Sequence, residues 1–182
     1  MTITEFEKRP YRRCVGITLF NKKGQVFVAQ RLDQKENAWQ MPQGGMEKTE
    51  TPSEAAIREL EEEIGTADVK ILAESKDWHH YDLPSYLADK IWNGRFRGQT
   101  QKWFAMEFLG EDSAIKPSDV DKPEFSEWRW VELETIPSLA VSFKKEIYQS
   151  IADEFAALGN TCLLYTSPSP RDVEESRMPS SA

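Results

Sequence analysis

The sequence predicts an α/β sandwich, and two patterns in it support this fold class. Short segments rich in β-branched and aromatic residues recur along the chain and are separated by turn residues, as in a β-sheet. Two other segments place apolar residues three or four positions apart, which is the spacing of amphipathic helices. The chain has 182 residues, enough for one domain with a substantial core.

The predicted strands and helices begin after an N-terminal extension over residues 1–10. Strand-like or extended composition occurs in the segments 12–20, 25–30, 39–45, 69–73, 101–109 and 127–131. Asn21 to Gly24 form a turn between the first two. One helix is predicted over residues 52–64. A C-terminal amphipathic helix is predicted from apolar residues at every fourth position, which are Phe143, Ile147, Ile151 and Phe155. We expect the folded domain to span residues 11–158.

Residues 159–182 are predicted to be a disordered tail without a function. The segment from Cys162 to Asp172 resembles a translated sequencing-library adapter, and we interpret it as a read-through artefact. An ordinary disordered tail is the alternative, because its serine and proline content would also prevent a packed structure. The underlying nucleotide sequence distinguishes the two.

Composition excludes several classes of function. The net charge of −8 disfavours a protein that holds DNA or long RNA mainly by charge, although it permits binding to one RNA end. No apolar stretch is long enough to span a membrane, and residues 1–8 lack the apolar core of a secretion signal. Two cysteines, Cys14 and Cys162, do not make a disulfide framework, and Cys14 is predicted to be buried. We therefore expect a cytoplasmic protein.

The helix predicted over residues 52–64 has consistent start and stop signals. Thr51 is a good N-cap, Pro52 suits the first helical position and Glu54 completes a capping box. Gly65 is a natural C-terminal stop. At 100° per residue one side of the helix is apolar and is predicted to pack inward, with the members Ala56, Ile57, Leu60 and Ile64.

Three carboxylates share an arc beside that apolar side. Glu59, Glu62 and Glu63 are spaced i, i+3 and i+4, a spacing at which like charges repel one another. Oxygen ligands in such a group are what a hard cation such as Mg²⁺ requires. A solvated acidic face is the alternative and would be favoured for an isolated helix. The preceding Gly44 and Gly45 favour the cation, because glycines allow a tight turn and a close approach to a ligand.

Residues 44–66 resemble the Nudix box, G-x5-E-x7-R-E-U-x-E-E-x-G-U, in which U is aliphatic. The residues in register are Gly44, Glu50, Arg58, Glu59, Leu60, Glu62, Glu63 and Gly65. Thr66 departs from the pattern at the last position, where a β-branched residue can still pack. The resemblance implies the Nudix fold, an α/β/α sandwich around a mixed β-sheet with a loop-helix-loop box.

The same resemblance implies roles for the box residues. Glu59, Glu62 and Glu63 match the metal ligands, and Gly44 also belongs to the metal site. Arg58 matches the arginine that orients a ligand carboxylate, and Glu50 matches the glutamate that supports the loop or the metal site. A divalent cation is implied, with Mg²⁺ expected and Mn²⁺ or Zn²⁺ as alternatives; it activates water and stabilises the leaving phosphate.

Six further motifs resemble, in order, the branch of bacterial RNA pyrophosphohydrolases and dinucleoside polyphosphate hydrolases. They are the segments 39–45, 81–84, 98–104, 123–125, 128–131 and 141–144, within a match from about Tyr11 to Phe155. The resemblance places Glu124 in a loop that supplies a fourth acidic residue to the metal site. It also implies positions that hold the 5′ nucleotides or lie beside them, which are Arg12, Arg31, Gln43, Val141, Ser142 and Phe143.

Each of these residues also has a simpler interpretation. Glu124 by itself would be a surface carboxylate, Phe143 the first apolar residue of the C-terminal helix, and Ser142 the cap of that helix. Lys102 is a candidate phosphate contact and, with equal weight, a solvated lysine. Arg95 and Arg97 lie in a basic segment predicted to line the cleft. His79 and His80 lack the spacing of zinc ligands and are predicted to be loop residues.

The leading functional hypothesis is a metal-dependent RNA 5′ pyrophosphohydrolase that converts a 5′-triphosphate to a 5′-monophosphate and so promotes transcript degradation. Hydrolysis of dinucleoside polyphosphates such as diadenosine tetraphosphate is the alternative, at the same chemical site. A non-catalytic nucleotide-binding module would require a damaged box, whereas every acidic position is filled. We expect a monomer whose partner is an RNA 5′ end or a dinucleotide, and neither DNA nor a membrane.

Overall fold

The computed structural model describes residues 4–32 and 38–166, with side chains as far as residue 159. Its strands are β1 (Tyr11–Phe20), β2 (Val26–Arg31), β3 (Gln43–Gly45), β4 (Val69–Glu74), β5 (His79–Asp82), β6 (Gly98–Phe108) and β7 (Phe125–Val131). Its α-helices are α1 (Pro52–Ile64), α2 (Ser85–Ala88), α3 (Ile136–Leu139) and α4 (Lys145–Thr166). Single 3₁₀ turns are Phe6–Lys8, Trp92–Gly94, Asp112–Ala114, Leu133–Thr135 and Ser142–Lys144. None of the helices in this part of the chain has the length and apolar character needed to cross a bilayer.

The strands form one mixed sheet. Its main path is β4-β6-β1-β2-β7, while β3 pairs with β1 and β5 pairs with β6. β1 and β6 run parallel from the pair Tyr11 and Gly98 to the pair Phe20 and Glu107, and the other pairings are antiparallel. The parallel pair lies at the centre and is covered on both faces, as parallel strands generally are.

Helices cover the two faces of the sheet. Because side chains alternate along a strand, neighbouring residues of β6 belong to different cores. Trp103 packs in the core beneath α4, whereas Phe104 packs in the core beneath α1. Ile151 of α4 and Leu60 of α1 are both fully buried in their respective cores. The expected α/β/α sandwich around a mixed sheet is therefore confirmed.

β5 is the main element that the sequence did not predict. His79 and His80, predicted to be loop residues, lie in this strand and pair with Gln101 and Thr100 of β6. The loop prediction was wrong because a strand of four mostly polar residues has no apolar alternation of its own. Its conformation depends on hydrogen bonds to β6, a partner far away in sequence.

α4 extends beyond the predicted end of the folded region. The tail was expected to begin at residue 159, whereas the helix continues to Thr166. The sequence contains no proline between Gly159 and Thr166, and the next one in the chain is Pro168. The rest of the predicted tail, residues 167–182, lies outside the described residues.

α1 has the predicted boundaries and caps. The Thr51 hydroxyl accepts the backbone N–H of Glu54, and the Thr51 N–H donates to the Glu54 carboxylate. Gly65 ends the helix in the left-handed conformation, at φ 87°, and donates its N–H to the carbonyl of Glu61. This is a conformation that residues with a side chain rarely adopt.

The inward face of α1 is rotated relative to the predicted apolar stripe. Ala56, Leu60 and Ile64 are fully buried as expected, but Ile57 is 37% exposed. Glu63 lies inside instead, at 3% exposure. The helix therefore faces the sheet along positions 56, 60 and 63, which brings one carboxylate into the protein at the expense of an isoleucine.

Thr51→Ala is expected to lower the free energy of unfolding by about 1 kcal/mol, because the N–H of Glu54 loses its acceptor. Thr51→Ser keeps the hydroxyl and is the matched control, with a change of a few tenths of a kcal/mol. Denaturant unfolding followed by circular dichroism measures both. Equal stability of the alanine and serine variants would show that the cap contributes nothing.

Candidate active site

The loop before α1 lies against the acidic side of that helix. Gly44 pairs with Val15 of β1, which holds the loop backbone at the edge of the sheet. A Cβ atom at Gly44 would coincide with the carboxylate of Glu59. The backbone N–H of Gln43 donates to Oε1 of Glu63 over 3.1 Å. A side chain at position 44 would therefore displace the Glu59 carboxylate, because the loop and α1 are in close contact.

Arg58 connects the loop to the acidic residues of α1. Its Nε and Nη2 atoms donate to the two oxygens of Glu50, and Nη2 also donates to the carbonyl of Gly45 over 2.9 Å. Nη1 donates to Glu59 over 3.1 Å and to Glu62 over 2.6 Å. The fork geometry of guanidinium permits this combination, and an ammonium group does not. The Arg58 side chain holds the pKa of Glu50 down at about 2, mainly through these hydrogen bonds.

Arg58→Lys is expected to lower kcat/KM by about 10- to 100-fold, the usual effect of losing a group that orients a ligand. Lysine keeps the charge but cannot bond Glu50, Gly45 and the helix carboxylates together. Steady-state kinetics at saturating divalent metal measure the change, and Arg129→Lys, at an exposed arginine of β7, is the control. Unchanged kinetics in Arg58→Lys would mean that charge alone is sufficient.

The acidic residues have unusual electrostatics. Burial, together with the carboxylates of Glu62 and Glu124, raises the pKa of Glu59 to about 7 against the opposing charge of Arg58. Burial raises the pKa of Glu63 well above its usual range, and Glu124 and Glu59 add to this rise. Carboxylates that destabilise one another in this way accommodate either protons or a cation.

A cavity of about 810 Å³ opens beside these carboxylates. Its wall includes Gly44, Gly45, Arg58 and Glu59. The wall also includes Tyr81 and Phe143, whose rings stack with centroids 5.6 Å apart. The volume is within the range of small-molecule sites in proteins. The cavity wall therefore combines acidic and aromatic side chains.

Most of the predicted site residues lie in the wall of this cavity. They are Arg12, Arg31, Gln43, Gly44, Arg58, Glu59, Glu124, Val141 and Phe143. Arg31 forms an ion pair of 3.3 Å with Glu124. The charge of Glu124 helps to raise the pKa values of Glu59 and Glu63, so its loop lies near the carboxylates of α1. The guanidinium of Arg12 lies 4.9 Å from the ring of Trp92, also in the wall.

Several predicted residues lie elsewhere. Glu62 is exposed and turned toward Arg58, and Glu63 is buried behind Gln43. Ser142 is exposed and begins a 3₁₀ turn whose N-cap position is Val141, so the simpler interpretation of Ser142 as a helix cap does not hold. Lys102 is outside the cavity wall and donates to the carbonyl of Lys76 over 3.2 Å.

The basic segment before β6 does not line the cavity either. Arg97 forms a two-point ion pair with Asp82, and Arg95 lies over the ring of Phe96. Neither arginine belongs to the cavity wall, which corrects the expectation that they line the cleft. The segment reaches the cavity through Trp92, whose backbone has a left-handed φ of 50°.

Lys144 is the principal wall residue that the sequence did not indicate. It is 9% exposed, and burial, together with the charge of Arg31, lowers its pKa to about 8. Tyr81, Trp92 and Gln99 were also not singled out. These residues come from different elements of the fold, and a role in the site becomes evident only because the fold brings them together in the cavity wall. For Lys144 the available signal was its position directly after Phe143.

Comparison with known protein families identifies the chain. A family model described as "NUDIX domain" matches residues 10–151. The chain belongs to the Nudix family. An RNA pyrophosphohydrolase of Novosphingobium aromaticivorans is 51% identical over 156 residues, covering 84% of this chain and 97% of that protein. An RNA pyrophosphohydrolase of Rhodospirillum rubrum is 52% identical over 147 residues, covering 81% of this chain and 88% of that protein.

The Nudix fold is also found by structural comparison. The dihydroneopterin triphosphate pyrophosphohydrolase of E. coli superposes with a TM-score of 0.60, covering 80% of this chain and 99% of that chain. The sequence identity is 18%, so this likeness concerns the fold alone. Membership of the Nudix hydrolases makes the chain an enzyme that acts on pyrophosphate bonds.

Nudix hydrolases generally depend on a divalent metal, and the acidic residues beside this cavity are suitable donors. Glu59 and Glu63 are shielded carboxylates with raised pKa values, and the backbone of Gly44 lies against the Glu59 carboxylate. In the described part of the chain, no three carboxylate, imidazole or thiol side chains are already gathered around one point. Glu59 and Glu62 instead accept hydrogen bonds from Arg58. These carboxylate oxygens and their negative charge suit a hard cation.

Proposed function

We propose that this Nudix hydrolase removes pyrophosphate from the 5′-triphosphate end of RNA and leaves a 5′-monophosphate. The observation that carries the proposal is the composition of the cavity wall, which brings together carboxylates, stacked aromatic rings and arginines. A triphosphate beside the carboxylates would leave the first bases beside Phe143 and Tyr81. The relatives named RNA pyrophosphohydrolase, about half identical over most of their length, support the same activity.

Residues in or beside the cavity have separate roles in the proposed reaction. Glu59, Glu62, Glu63, Glu124 and the Gly44 carbonyl would hold Mg²⁺, with Mn²⁺ or Zn²⁺ as alternatives. When bound, the cation would activate water and stabilise negative charge on the leaving phosphate. Arg12 and Arg31 orient the phosphates and the adjacent nucleotide, and Gln43 positions Glu63 through its backbone N–H. Glu59 or Glu124 takes the proton from the attacking water.

A second candidate function is hydrolysis of dinucleoside polyphosphates such as diadenosine tetraphosphate. The cavity volume of about 810 Å³ is large enough for more than one nucleoside, and the same carboxylates would serve both reactions. The two substrates differ beyond the first nucleotide, where RNA has a long chain and the dinucleotide has a single nucleoside.

The experiment that tests the proposal compares the two substrates directly. The purified chain, with Mg²⁺, is given a short 5′-triphosphorylated RNA or diadenosine tetraphosphate, and kcat/KM is measured for each. Release of pyrophosphate with a higher kcat/KM on RNA supports the proposal. Faster cleavage of the dinucleotide would make the second candidate the principal activity. Absence of hydrolysis of either substrate would refute both.

Phe143→Ala is expected to raise KM for triphosphorylated RNA by about 10-fold with little change in kcat, because one stacked base loses its aromatic partner. Phe143 is half-buried in the cavity wall and stacked on Tyr81. Phe143→Tyr keeps the ring and is the control. A change in kcat rather than KM would assign Phe143 to the packing of α4 instead of to the substrate.

The setting of the reaction is inferred from the substrate. We propose that the enzyme acts as a monomer in the cytoplasm, where removal of pyrophosphate makes transcripts easier to degrade. Its partner is the RNA 5′ end, and the acidic overall charge disfavours DNA. Size-exclusion chromatography with light scattering tests the monomer.

A further inference from the structure

One part of the sheet is not covered by helix α1. α1 packs over Val15, Ile17 and Leu19 of β1, whereas Arg13, on the same face, is exposed. Arg13 pairs laterally with Thr100 of β6, which in turn pairs with the exposed His80 of β5. We call this region the open face and define it by six residues, which are Tyr11, Arg13, Trp78, His80, Arg97 and Lys102.

Aromatic rings and cations alternate across the open face. The guanidinium of Arg13 lies 4.9 Å from the ring of Trp78, and Nζ of Lys102 lies 6.0 Å from the same ring. The rings of Tyr11 and His80 are 4.9 Å apart, and Arg97 lies 5.0 Å from the Tyr11 ring. Surfaces that bind single-stranded nucleic acid combine flat rings for stacking with cations for the backbone in this way.

Among the residues that the structure describes, one cation of the open face, Arg13, is not paired with a carboxylate. Asp82 neutralises Arg97, and Glu74 lies 3.6 Å from Lys102. Arg13 has no carboxylate within ion-pair distance among residues 4–32 and 38–159, so its charge is available to a ligand. The chain as a whole has a net charge of −8, whereas this surface presents an exposed arginine beside half-buried aromatic rings.

The open face borders the cavity wall through the backbone of β1. Arg12 lines the cavity, and Arg13, the next residue, has its side chain on the open face. The carbonyl of Arg13 accepts the N–H of Met46 over 3.0 Å, and Met46 is itself part of the cavity wall. The backbone of Arg13 therefore adjoins the wall of the cavity at Met46.

We propose that the open face binds the single-stranded RNA that continues from the nucleotides held in the cavity. Arg13 contacts a phosphate, and the rings of Trp78 and Tyr11 provide stacking surfaces for bases. This inference rests on the proposed RNA 5′ pyrophosphohydrolase activity and extends it from the terminal nucleotides to the body of the transcript. A dinucleoside polyphosphate has no chain beyond its second nucleoside, so binding at the open face would favour RNA over dinucleotides.

The test compares substrates of different length. Triphosphorylated RNA of two nucleotides is compared with RNA of about 15 nucleotides, near the upper site size of single-strand binding surfaces. Trp78→Ala is expected to lower kcat/KM on the longer RNA by about 10-fold, the scale of one lost stacked base, and to leave the short substrate unchanged. Arg13→Gln tests the same surface through an exposed side chain whose loss leaves folding intact. It is expected to reduce the slope of log KM against log salt by about 0.7 on the longer RNA.

Arg129→Gln is the matched control, because Arg129 is also exposed on a strand and lies 4.0 Å from the ring of Trp39, away from the open face. Equal losses on both RNA lengths, or no loss in Arg13→Gln on the longer RNA, would overturn the inference. These outcomes are distinct from failure of the proposed function, in which the wild type releases no pyrophosphate from RNA of either length.

Discussion

Glu63→Gln is expected to lower kcat by at least about 100-fold and to leave the fold in place. Glu63 is 3% exposed, and its carboxylate accepts the N–H of Gln43. Glutamine has the same shape, and its amide oxygen can accept the same hydrogen bond, but it carries no negative charge. Since burial and two neighbouring carboxylates raise the pKa of Glu63, its charged form is favourable mainly when a cation is bound. The substitution therefore removes a proposed metal ligand rather than a packing contact.

The control for this substitution is Glu61→Gln, on the exposed side of the same helix. Both variants are assayed with Mg²⁺ and triphosphorylated RNA, and their thermal unfolding is measured with and without the metal. Mg²⁺ is expected to raise Tm for the wild type and for Glu61→Gln, because a ligand that binds the folded state stabilises it. A Glu63→Gln variant with wild-type kcat and a wild-type metal-induced shift in Tm would refute the metal assignment.

Gly44→Ala is expected to reduce kcat/KM by about 100-fold, because it displaces the carboxylate of Glu59. A Cβ atom at this position would occupy the place of that carboxylate, and the pairing of Gly44 with Val15 prevents the backbone from moving away. The Glu59 side chain is flexible and can rotate aside, so stability is expected to change little. Displacements of about 1 Å at reacting groups are sufficient for losses of this size.

Gly110→Ala is the control for this substitution. Its Cβ would meet the ring of Phe108 at 3.1 Å, a tight contact away from the cavity. Kinetics and denaturant unfolding are measured on both variants. If Gly44→Ala instead lost stability without losing kcat/KM in its folded fraction, the glycine would serve folding and not catalysis.

Local sequence determined the parts of this protein that depend on near neighbours in the chain. Thr51, Glu54 and Gly65 lie within a few residues of the groups they bond, so the limits of α1 could be predicted from their order alone. The spacing of Glu59, Glu62 and Glu63 likewise placed three carboxylates on one arc of the helix. The motifs around this helix were sufficient to identify the Nudix family and the class of reaction.

The strand assignments succeeded for a related reason. Phe104 and Trp103, neighbours in β6, are both apolar because both faces of the central sheet are buried, and such runs are typical of central strands. β5 could not be predicted, because its only stabilising partner among the described strands is β6 and its own composition is polar. A short strand of this kind has no signal before the chain folds.

Tertiary structure alone decided which of these residues meet. The rotation of α1 buries Glu63 and exposes Ile57, although the apolar pattern predicted that Ile57 would pack inward. The packed fold also brings Lys144 and Tyr81, which lie far apart in the sequence, into one wall with Glu59, and it places Lys102 outside that wall. The physical reason is that burial and electrostatic coupling are properties of the packed sheet and helices, whereas helix caps and side-chain spacing are properties of the local chain.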